Sequence, residues 1–331
     1  MSIALSRRQW LQTSAALAAG LATGTSFAST KAWPTAQPVR IIVPFPAGGV
    51  NDVVARQLGD LLSPVLQQSV IVDNKPGAGG SMGMDQLARS PADGYTLAFS
   101  GISTLTLLPH VMKVGYDPMK QFRAVASTMY APVYLLATKS FAGNSVTDVL
   151  AAAKKSPKGV TIASSGYGTL GHIMIEQFIR QTGANLVHVP YKGGSQMITD
   201  AAGGQFELMV ANPFAPINAL IADGKLRVLA VTGPERAAAF PQVPTLGELG
   251  YTSANLTSLF GFYAPAGTPD DVVQRLNQTI NHLLASKEQQ DKLRALDNIP
   301  LTMSADKFQA VINKEWEING KVVREANIQA Q

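Results

Sequence analysis

A glycine-rich loop at the start of a predicted helix has residue types that suit the capture of an anion. The apolar run 39–44 leads directly into this loop, and an amphipathic helix follows it at about residue 51. Glycines bring bare N–H groups close to a ligand, and a helix start adds about four unpaired N–H groups and a partial positive charge. The loop therefore predicts an anion site. The residues expected to form it are Phe45, Pro46, Ala47, Gly48, Gly49, Asn51 and Asp52. For Asp52, a role as the acidic charge of the helix start is an equal alternative.

A second loop of the same kind follows the apolar run 160–164. Gly166, Gly168 and Gly171 match the pattern G-x-G-x-x-G that binds dinucleotides between a strand and a helix. That function expects an acidic residue at the end of the next strand, and the segment 185–191 has none. The dinucleotide interpretation is therefore disfavoured, and a second anion-binding helix start remains. Its expected ligand contacts are Ser164, Ser165, Gly166, Gly168, Thr169 and His172.

Three further groups of expected contacts lie where predicted strands end. Ser103 follows the strand 95–100, the group Tyr191, Lys192 and Gly193 follows the strand 186–190, and Ala211 and Asn212 lie at the end of the strand 206–211. A single loop of this kind is usually only a connector. Several together favour a ligand site, because open α/β sheets bind ligands at the carboxyl ends of their strands.

Catalytic and metal-binding patterns are missing from the sequence. It suggests no Ser-His-Asp order and has no H-E-x-x-H motif, its four histidines lack ligand spacing, and it contains no cysteine. His172 alone is more typical of a scaffold residue than of an acid or base. We therefore expect no enzymatic activity, no metal and no cofactor. A hydrolase that acts on anions in the same site is the less favoured alternative.

The first 28 residues resemble a twin-arginine export signal. Arg7 and Arg8 precede the Ala-rich stretch 15–28, and Ser26-Phe27-Ala28 supplies small residues for cleavage after Ala28. The stretch is too short and too interrupted for a membrane span, which needs roughly 20 apolar residues. A formal net charge of +5 over 331 residues does not suggest a nucleic-acid partner. We expect an exported, periplasmic protein.

Alternating strand and helix patterns predict an α/β fold with two lobes. Strands are expected at 39–44, 69–73, 95–100, 133–138, 160–164, 186–190, 206–211, 226–232 and 259–264. The last third is mainly helical, and its apolar faces must return to cover the first unit. We expect residues 38–137 plus 262–331 in lobe 1 and 138–261 in lobe 2. Two hinge crossings near 135–140 and 257–263 would then leave a ligand cleft between the lobes.

Several separated motifs resemble the substrate-binding proteins of tripartite tricarboxylate transporters, the Bug or TctC family, over about 38–325. The matching segments are Pro44 to Gly49 with Asp52, Asn74 to Gly80, Pro91 to Leu97, Ser164 to His172, Val189 to Gly193, Gly224 to Thr232, Pro241 to Pro244 and Ala264 to Pro269. The resemblance implies a type II-like periplasmic binding fold that closes on a small mono- or dicarboxylate. It implies that backbone groups and waters at Phe45 to Asp52 hold one carboxylate, while the second lobe selects the rest.

The resemblance also implies partners and one departure. The implied partner is the membrane part of a tripartite tricarboxylate-type transporter, and we expect a monomer that binds no nucleic acid. A receptor that reports to a signalling system is an open alternative. Many family members carry an acidic residue where Ala211 falls, so this sequence argues against a ligand ammonium group near that position.

Overall fold

The computed structural model describes residues 33–329 of the chain. The expected export signal at 1–28 lies outside the described residues. Within 33–329, no helix combines the length and the apolar character that crossing a membrane requires.

A six-stranded mixed sheet forms the centre of the first lobe. Its strands are β1 (Val39–Val43), β2 (Val70–Asn74), β3 (Thr96–Gly101), β4 (Phe122–Ala131), β10 (Ser258–Pro265) and β11 (Ile299–Pro300). They lie in the order β11-β4-β10-β3-β1-β2. β1 runs parallel to both β2 and β3, so the loops after these strands emerge at one edge of the sheet. β10 pairs antiparallel with β3 and β4.

A five-stranded mixed sheet forms the centre of the second lobe. Its strands are β5 (Tyr134–Thr138), β6 (Val160–Ser164), β7 (Leu186–Pro190), β8 (Leu208–Ala211) and β9 (Leu226–Val231). They lie in the order β7-β6-β8-β5-β9. β6 is parallel to β7 and β8, so the loops after β6, β7 and β8 also share one edge.

Helices cover both sheets. Those of the first lobe are α1 (Val50–Leu66), α2 (Ser81–Ala88), α3 (Ser103–Thr106), α4 (Leu108–Val111), α9 (Asp270–Ala285), α10 (Lys287–Arg294) and α11 (Ala305–Glu325). Those of the second lobe are α5 (Val146–Lys155), α6 (Leu170–Thr182), α7 (Gly194–Gly203) and α8 (Ala215–Ala222). Short 3₁₀ turns lie at Ala78–Gly80 and Thr252–Ala254.

The C-terminal helices pack on opposite faces of the first sheet. Leu276 and Ile280 of α9 are buried in the same cluster as Ile41 of β1. Phe308 of α11 is buried in the cluster that contains the next residue of β1, Ile42. Successive side chains of a strand point to opposite faces, so α9 and α11 enclose the sheet between them.

β4 is a ten-residue strand that the sequence patterns did not predict. Its Ser127 and Thr128 lie next to each other and divide a run that is otherwise mainly apolar. Both are buried, and their hydroxyls donate to the carbonyls of Leu301 and Phe260 at 2.9 and 3.1 Å. These tertiary hydrogen bonds satisfy the polar groups, and no local pattern reveals them.

The chain passes between the two sheets at two places. β4 of the first sheet ends at Ala131 and β5 of the second sheet begins at Tyr134, whereas the expected boundary was 137/138. β10 returns to the first sheet at Ser258, ahead of the expected position 262. Residues 132 and 133 form the first connection between the two sheets, and residues 232–257 form the second, from the end of β9 to the start of β10.

Candidate functional site

A cavity of about 80 Å³ lies between the two lobes and is lined by loops from both. By the same measure, one water needs about 10–15 Å³, so the cavity suits a small molecule. Of the residues expected from the sequence, those lining it are Phe45, Gly49, Asn51, Ser103, Ser165, Thr169, Ala211 and Asn212. The expected residues outside the lining are Pro46, Ala47, Gly48, Asp52, Ser164, Gly166, Gly168, His172, Tyr191, Lys192 and Gly193.

The cavity lining contains no charged side chain. Three helix N-termini reach it instead: Gly49 and Asn51 at the start of α1, Thr169 at the start of α6, and Gly194 at the start of α7. α1 and α7 have glycine N-caps, Gly49 and Gly193, which make no side-chain capping hydrogen bond. Their first N–H groups therefore lack the usual capping partner, and each helix adds about half a positive charge at this end.

Asn51 offers a further polar group to the cavity. Asn51 is 9% exposed, and its Oδ1 has no hydrogen-bond partner within residues 33–329. A buried amide oxygen without a donor is costly unless a ligand or water donates a hydrogen bond to it.

Asp52 holds the first loop in place and does not line the cavity. Its Oδ2 accepts from the Gly48 N–H at 2.9 Å, and its Oδ1 pairs with Arg56 at 2.9 Å. Burial raises the pKa of the carboxyl, but the hydrogen bonds from Arg56 and Gly48 outweigh burial and keep the pKa below its usual value. Gly48 adopts φ +80° in this turn, a conformation that favours glycine. Its N–H is thereby engaged by Asp52.

Ser164 and His188 form a hydrogen-bonded pair, with 2.7 Å between Oγ and Nε2. Such a pair resembles part of a hydrolase site. Ser164, however, is fully buried, lies outside the cavity lining, and accepts from the Gly166 N–H at 3.2 Å. The pair therefore shapes the loop after β6. Within 33–329, no group of three or more His, Asp or Glu side chains is placed to hold a metal ion.

His172 supports the same loop from inside the protein. Its Nδ1 accepts from the Gly168 N–H at 3.3 Å, and its ring stacks on His188 with 4.8 Å between centroids. The ring is 2% exposed. Burial, together with the neighbouring His188, lowers the pKa of His172 to about 3, and burial lowers the pKa of His188 to about 4. Both rings are therefore neutral near pH 7.

Gly168 lies where the two lobes touch. A Cβ on Gly168 would come within 2.9 Å of the Cα of Leu108, which belongs to α4 of the first lobe. A Cβ on Gly79, in the first lobe, would lie 2.4 Å from the Tyr167 carbonyl oxygen of the second lobe. Both glycines have positive φ angles, of +68° and +64°. The absence of side chains here allows the lobes to meet.

Gly193 has the same function on the other side of the cleft. A Cβ on it would lie 2.3 Å from Cδ of Pro46 in the first loop. Next to this contact, the Ser195 hydroxyl donates to the Ala47 carbonyl oxygen across the lobes. The lobes are thus in direct contact on both sides of the cavity, and the cleft is closed.

Two other expected residues, Tyr191 and Lys192, lie outside the cavity lining. Tyr191 donates its hydroxyl to Asp200 at 2.7 Å within the second lobe. Burial, followed by this hydrogen bond, raises the pKa of Tyr191 to about 12. Lys192 is exposed. The sole basic side chain among the expected contacts therefore faces solvent.

The hinge contributes residues that the sequence analysis missed. Asn212 was expected, but its amide Nδ2 donates to the Pro132 carbonyl oxygen at 2.8 Å and to Ser258 Oγ at 3.0 Å, one residue at each crossing. Ser258 and Phe260 of β10 line the cavity, as does Phe214 after β8. The expected crossing at 257–263 could have indicated Ser258 and Phe260, because a segment that joins two lobes necessarily borders the cleft between them.

Comparison with known proteins assigns the chain to a family. The family model described as the tripartite tricarboxylate transporter family receptor matches residues 54–328. The chain belongs to this receptor family. Protein BugT of Bordetella pertussis (strain Tohama I) is 35% identical over 295 residues, which cover 88% of this chain and 89% of BugT.

Solved structures share the fold. The periplasmic binding protein BugD superposes with a TM-score of 0.84 at 30% identity, covering 89% of this chain and 99% of BugD. A protein of R. palustris solved with adipate superposes with a TM-score of 0.85 at 33% identity, covering 90% of this chain and 99% of that one. The protein therefore has the two-lobed α/β fold of periplasmic binding proteins.

Replacement of Gly168 by alanine tests the contact between the lobes. Alanine tolerates φ +68° at a cost of about 1–2 kcal/mol, but its Cβ would collide with the Leu108 backbone only when the lobes are closed. We expect Gly168→Ala to fold and to remain more open than the wild type. Small-angle X-ray scattering should show a larger radius of gyration for the variant.

Gly183→Ala is the matched control, because Gly183 has φ +67° and open space around its Cβ position. It carries the same backbone penalty without the collision. Equal radii of gyration for Gly168→Ala, Gly183→Ala and wild type would contradict the proposed closure contact.

The buried histidines predict a loss of stability in acid. Unfolded histidine titrates near pH 6.5, whereas His172 and His188 titrate near 3 and 4 in the folded protein. Between these values the unfolded state binds more protons, so the free energy of unfolding decreases as pH falls from about 6.5 toward 3. The variant His172→Asn keeps an acceptor for the Gly168 N–H. We expect its free energy of unfolding to fall by about 2 kcal/mol less than that of the wild type between pH 7 and pH 4.5.

Urea unfolding at the two pH values measures this difference. His282→Asn is the control, since His282 is exposed near the end of α9. Its pH dependence should match that of the wild type. The lowered pKa of His172 is not the cause of the acid sensitivity if His172→Asn loses as much stability as the wild type between the two pH values.

Proposed function

We propose that this protein is a periplasmic receptor that binds a small organic carboxylate between its lobes. The observation that carries the proposal is a closed cavity without charged side chains at which helix N-termini of both lobes converge. Neutral N–H and hydroxyl donors stabilise an anion without a counter-ion, and buried N-termini add favourable dipoles. A cation would meet the wrong end of all three helices.

The relatives support a carboxylate among the possible anions. The R. palustris protein, 33% identical to this chain, was solved with adipate. A cavity of about 80 Å³ between the lobes is suited to one end of such a molecule. Binding at micromolar strength would require about 8 kcal/mol.

The arrangement couples binding to closure. α1 belongs to the first lobe and α6 and α7 belong to the second, so a ligand receives donors from both sides only when the lobes meet. The ligand therefore favours the closed form by its differential affinity. We infer that the closed surface is what a membrane partner recognises, and that this partner is a tripartite tricarboxylate-type transporter. Recognition by a sensor is the second candidate.

We propose that the protein acts as a monomer and does not transform its ligand. The Ser164–His188 pair resembles a nucleophile and base, but Ser164 is buried behind the loop. The cavity lining holds neither a carboxylate nor an imidazole that could move a proton to a bound molecule.

Asn51→Asp tests the anion site with an isosteric change. A carboxylate at this position about 4 Å from a bound carboxylate is repelled by about 4 kcal/mol at an effective dielectric constant of 20. The free protein should be at least as stable as the wild type, because an acidic residue suits the first turn of α1. A thermal-shift screen with mono- and dicarboxylates, followed by calorimetry, should show affinity reduced at least about a hundredfold.

Asn313→Asp is the control. Asn313 is exposed on α11, and its replacement by aspartate adds the same charge outside the cavity lining. It should bind the carboxylates as the wild type does. If no carboxylate stabilises the wild type, or if Asn51→Asp binds with unchanged affinity, the proposed function is wrong.

A further inference from the structure

A second cavity adjoins the cleft cavity. It measures about 120 Å³, compared with about 80 Å³ for the first. Gly101, Ser103, Leu170 and Ser258 line both cavities. A ligand that extends past these residues would occupy both spaces, with one end at the helix N-termini and the other in the second cavity.

One stripe of the C-terminal helix α11 forms a wall of this second cavity. Val311, Glu315 and Asn319 line it, and their four-residue spacing places them on one helix face. The Asn319 Nδ2 donates to the Thr106 Oγ1 of α3 at 3.1 Å and so fixes the stripe against the first lobe.

The far end of α11 reaches the second lobe. Val323 of this helix and Ile328 beyond it are buried in one cluster with Ile173 of α6 and Leu107. The helix therefore contacts both lobes in the closed form. Its cavity-facing stripe is held in place from both sides.

Glu315 is a carboxyl group that forms no ion pair within residues 33–329. Its Oε2 accepts from the Asn319 amide at 3.4 Å. Burial raises the pKa of the Glu315 carboxyl, opposed by Asn319 and Lys314. Asp52 near the first cavity differs, because Arg56 neutralises it. Glu315 thus retains acceptor capacity at the wall of the second cavity.

We propose that the second cavity receives the far end of the ligand and that Glu315, with Asn319, selects a hydrogen-bond donor there. This proposal rests on the carboxylate receptor function proposed above. The donor is a hydroxyl, an ammonium or a primary amide group. A second carboxylate would face the Glu315 carboxylate, and like charges disfavour each other.

The ligand class is therefore a carboxylate with a hydrogen-bond donor at its opposite end. Many members of the family carry an acidic residue where this chain has Ala211, in the second lobe. The structure supplies an acidic group from another element, α11, at the other end of the joined cavities.

Matched ligand series test the selection by calorimetry on the purified protein. One series is succinate, succinamate, 4-hydroxybutyrate, 4-aminobutyrate and butyrate. The other is adipate, its monoamide, 6-hydroxyhexanoate, 6-aminohexanoate and hexanoate. In the series of better-fitting length, we expect the best donor-bearing member to bind about tenfold or more tighter than the dicarboxylate and the unsubstituted acid.

Glu315→Gln should reduce the preference for that donor over the dicarboxylate by about tenfold. Glu317→Gln is the control. Glu317 is exposed on the same helix, and this substitution removes the same charge. Its ligand preference should match that of the wild type. Circular dichroism and thermal unfolding establish that each variant is folded.

The inference is overturned if the wild type prefers the dicarboxylate, or if Glu315→Gln and Glu317→Gln have the same preference. Carboxylate binding that Asn51→Asp abolishes and Glu315→Gln leaves unchanged would overturn this inference and leave the receptor function standing. The absence of binding by every carboxylate would instead contradict the receptor function itself.

Discussion

The site depends on the convergence of helix N-termini from two lobes on one closed cavity. Gly49 of the first lobe and Thr169 and Gly194 of the second each bring the positive end of a helix to the same space. An anion in this space is stabilised by helix N-termini of both lobes at once, but only when the lobes meet. The same geometry therefore explains the choice of ligand charge and the reason for closure.

The loops that bear these N-termini are held by their own internal contacts. Asp52 fixes the first loop through Gly48, and the stacked His172 and His188 fix the second through Gly168 and Ser164. These titratable groups do not reach the cavity. They keep the donors in place before the ligand arrives, which lowers the entropic cost of binding.

The elements of the fold could largely be predicted from the sequence. Apolar runs indicated β1 and β6, and the glycine-rich segments after them indicated the helix starts that carry Asn51 and Thr169. β4 escaped prediction because the hydrogen bonds that satisfy Ser127 and Thr128 come from distant parts of the chain.

The roles of individual glycines could not be predicted. A glycine can serve a ligand contact, a positive φ angle or a close approach of two backbones, and only the tertiary structure separates these. Gly168 and Gly193 were expected at the ligand, and the structure places both where the lobes meet. Glu315 gave no signal, because a four-residue spacing on an amphipathic helix does not reveal which face borders a cavity.

A crystal structure with the carboxylate that most stabilises the protein tests the central claim most directly. We expect a carboxylate group between the N-termini of α1 and α6, with hydrogen bonds from both lobes and no Lys or Arg nitrogen within about 4 Å. A carboxylate paired with a basic side chain such as Lys192, or bound to one lobe with the cleft open, would contradict it.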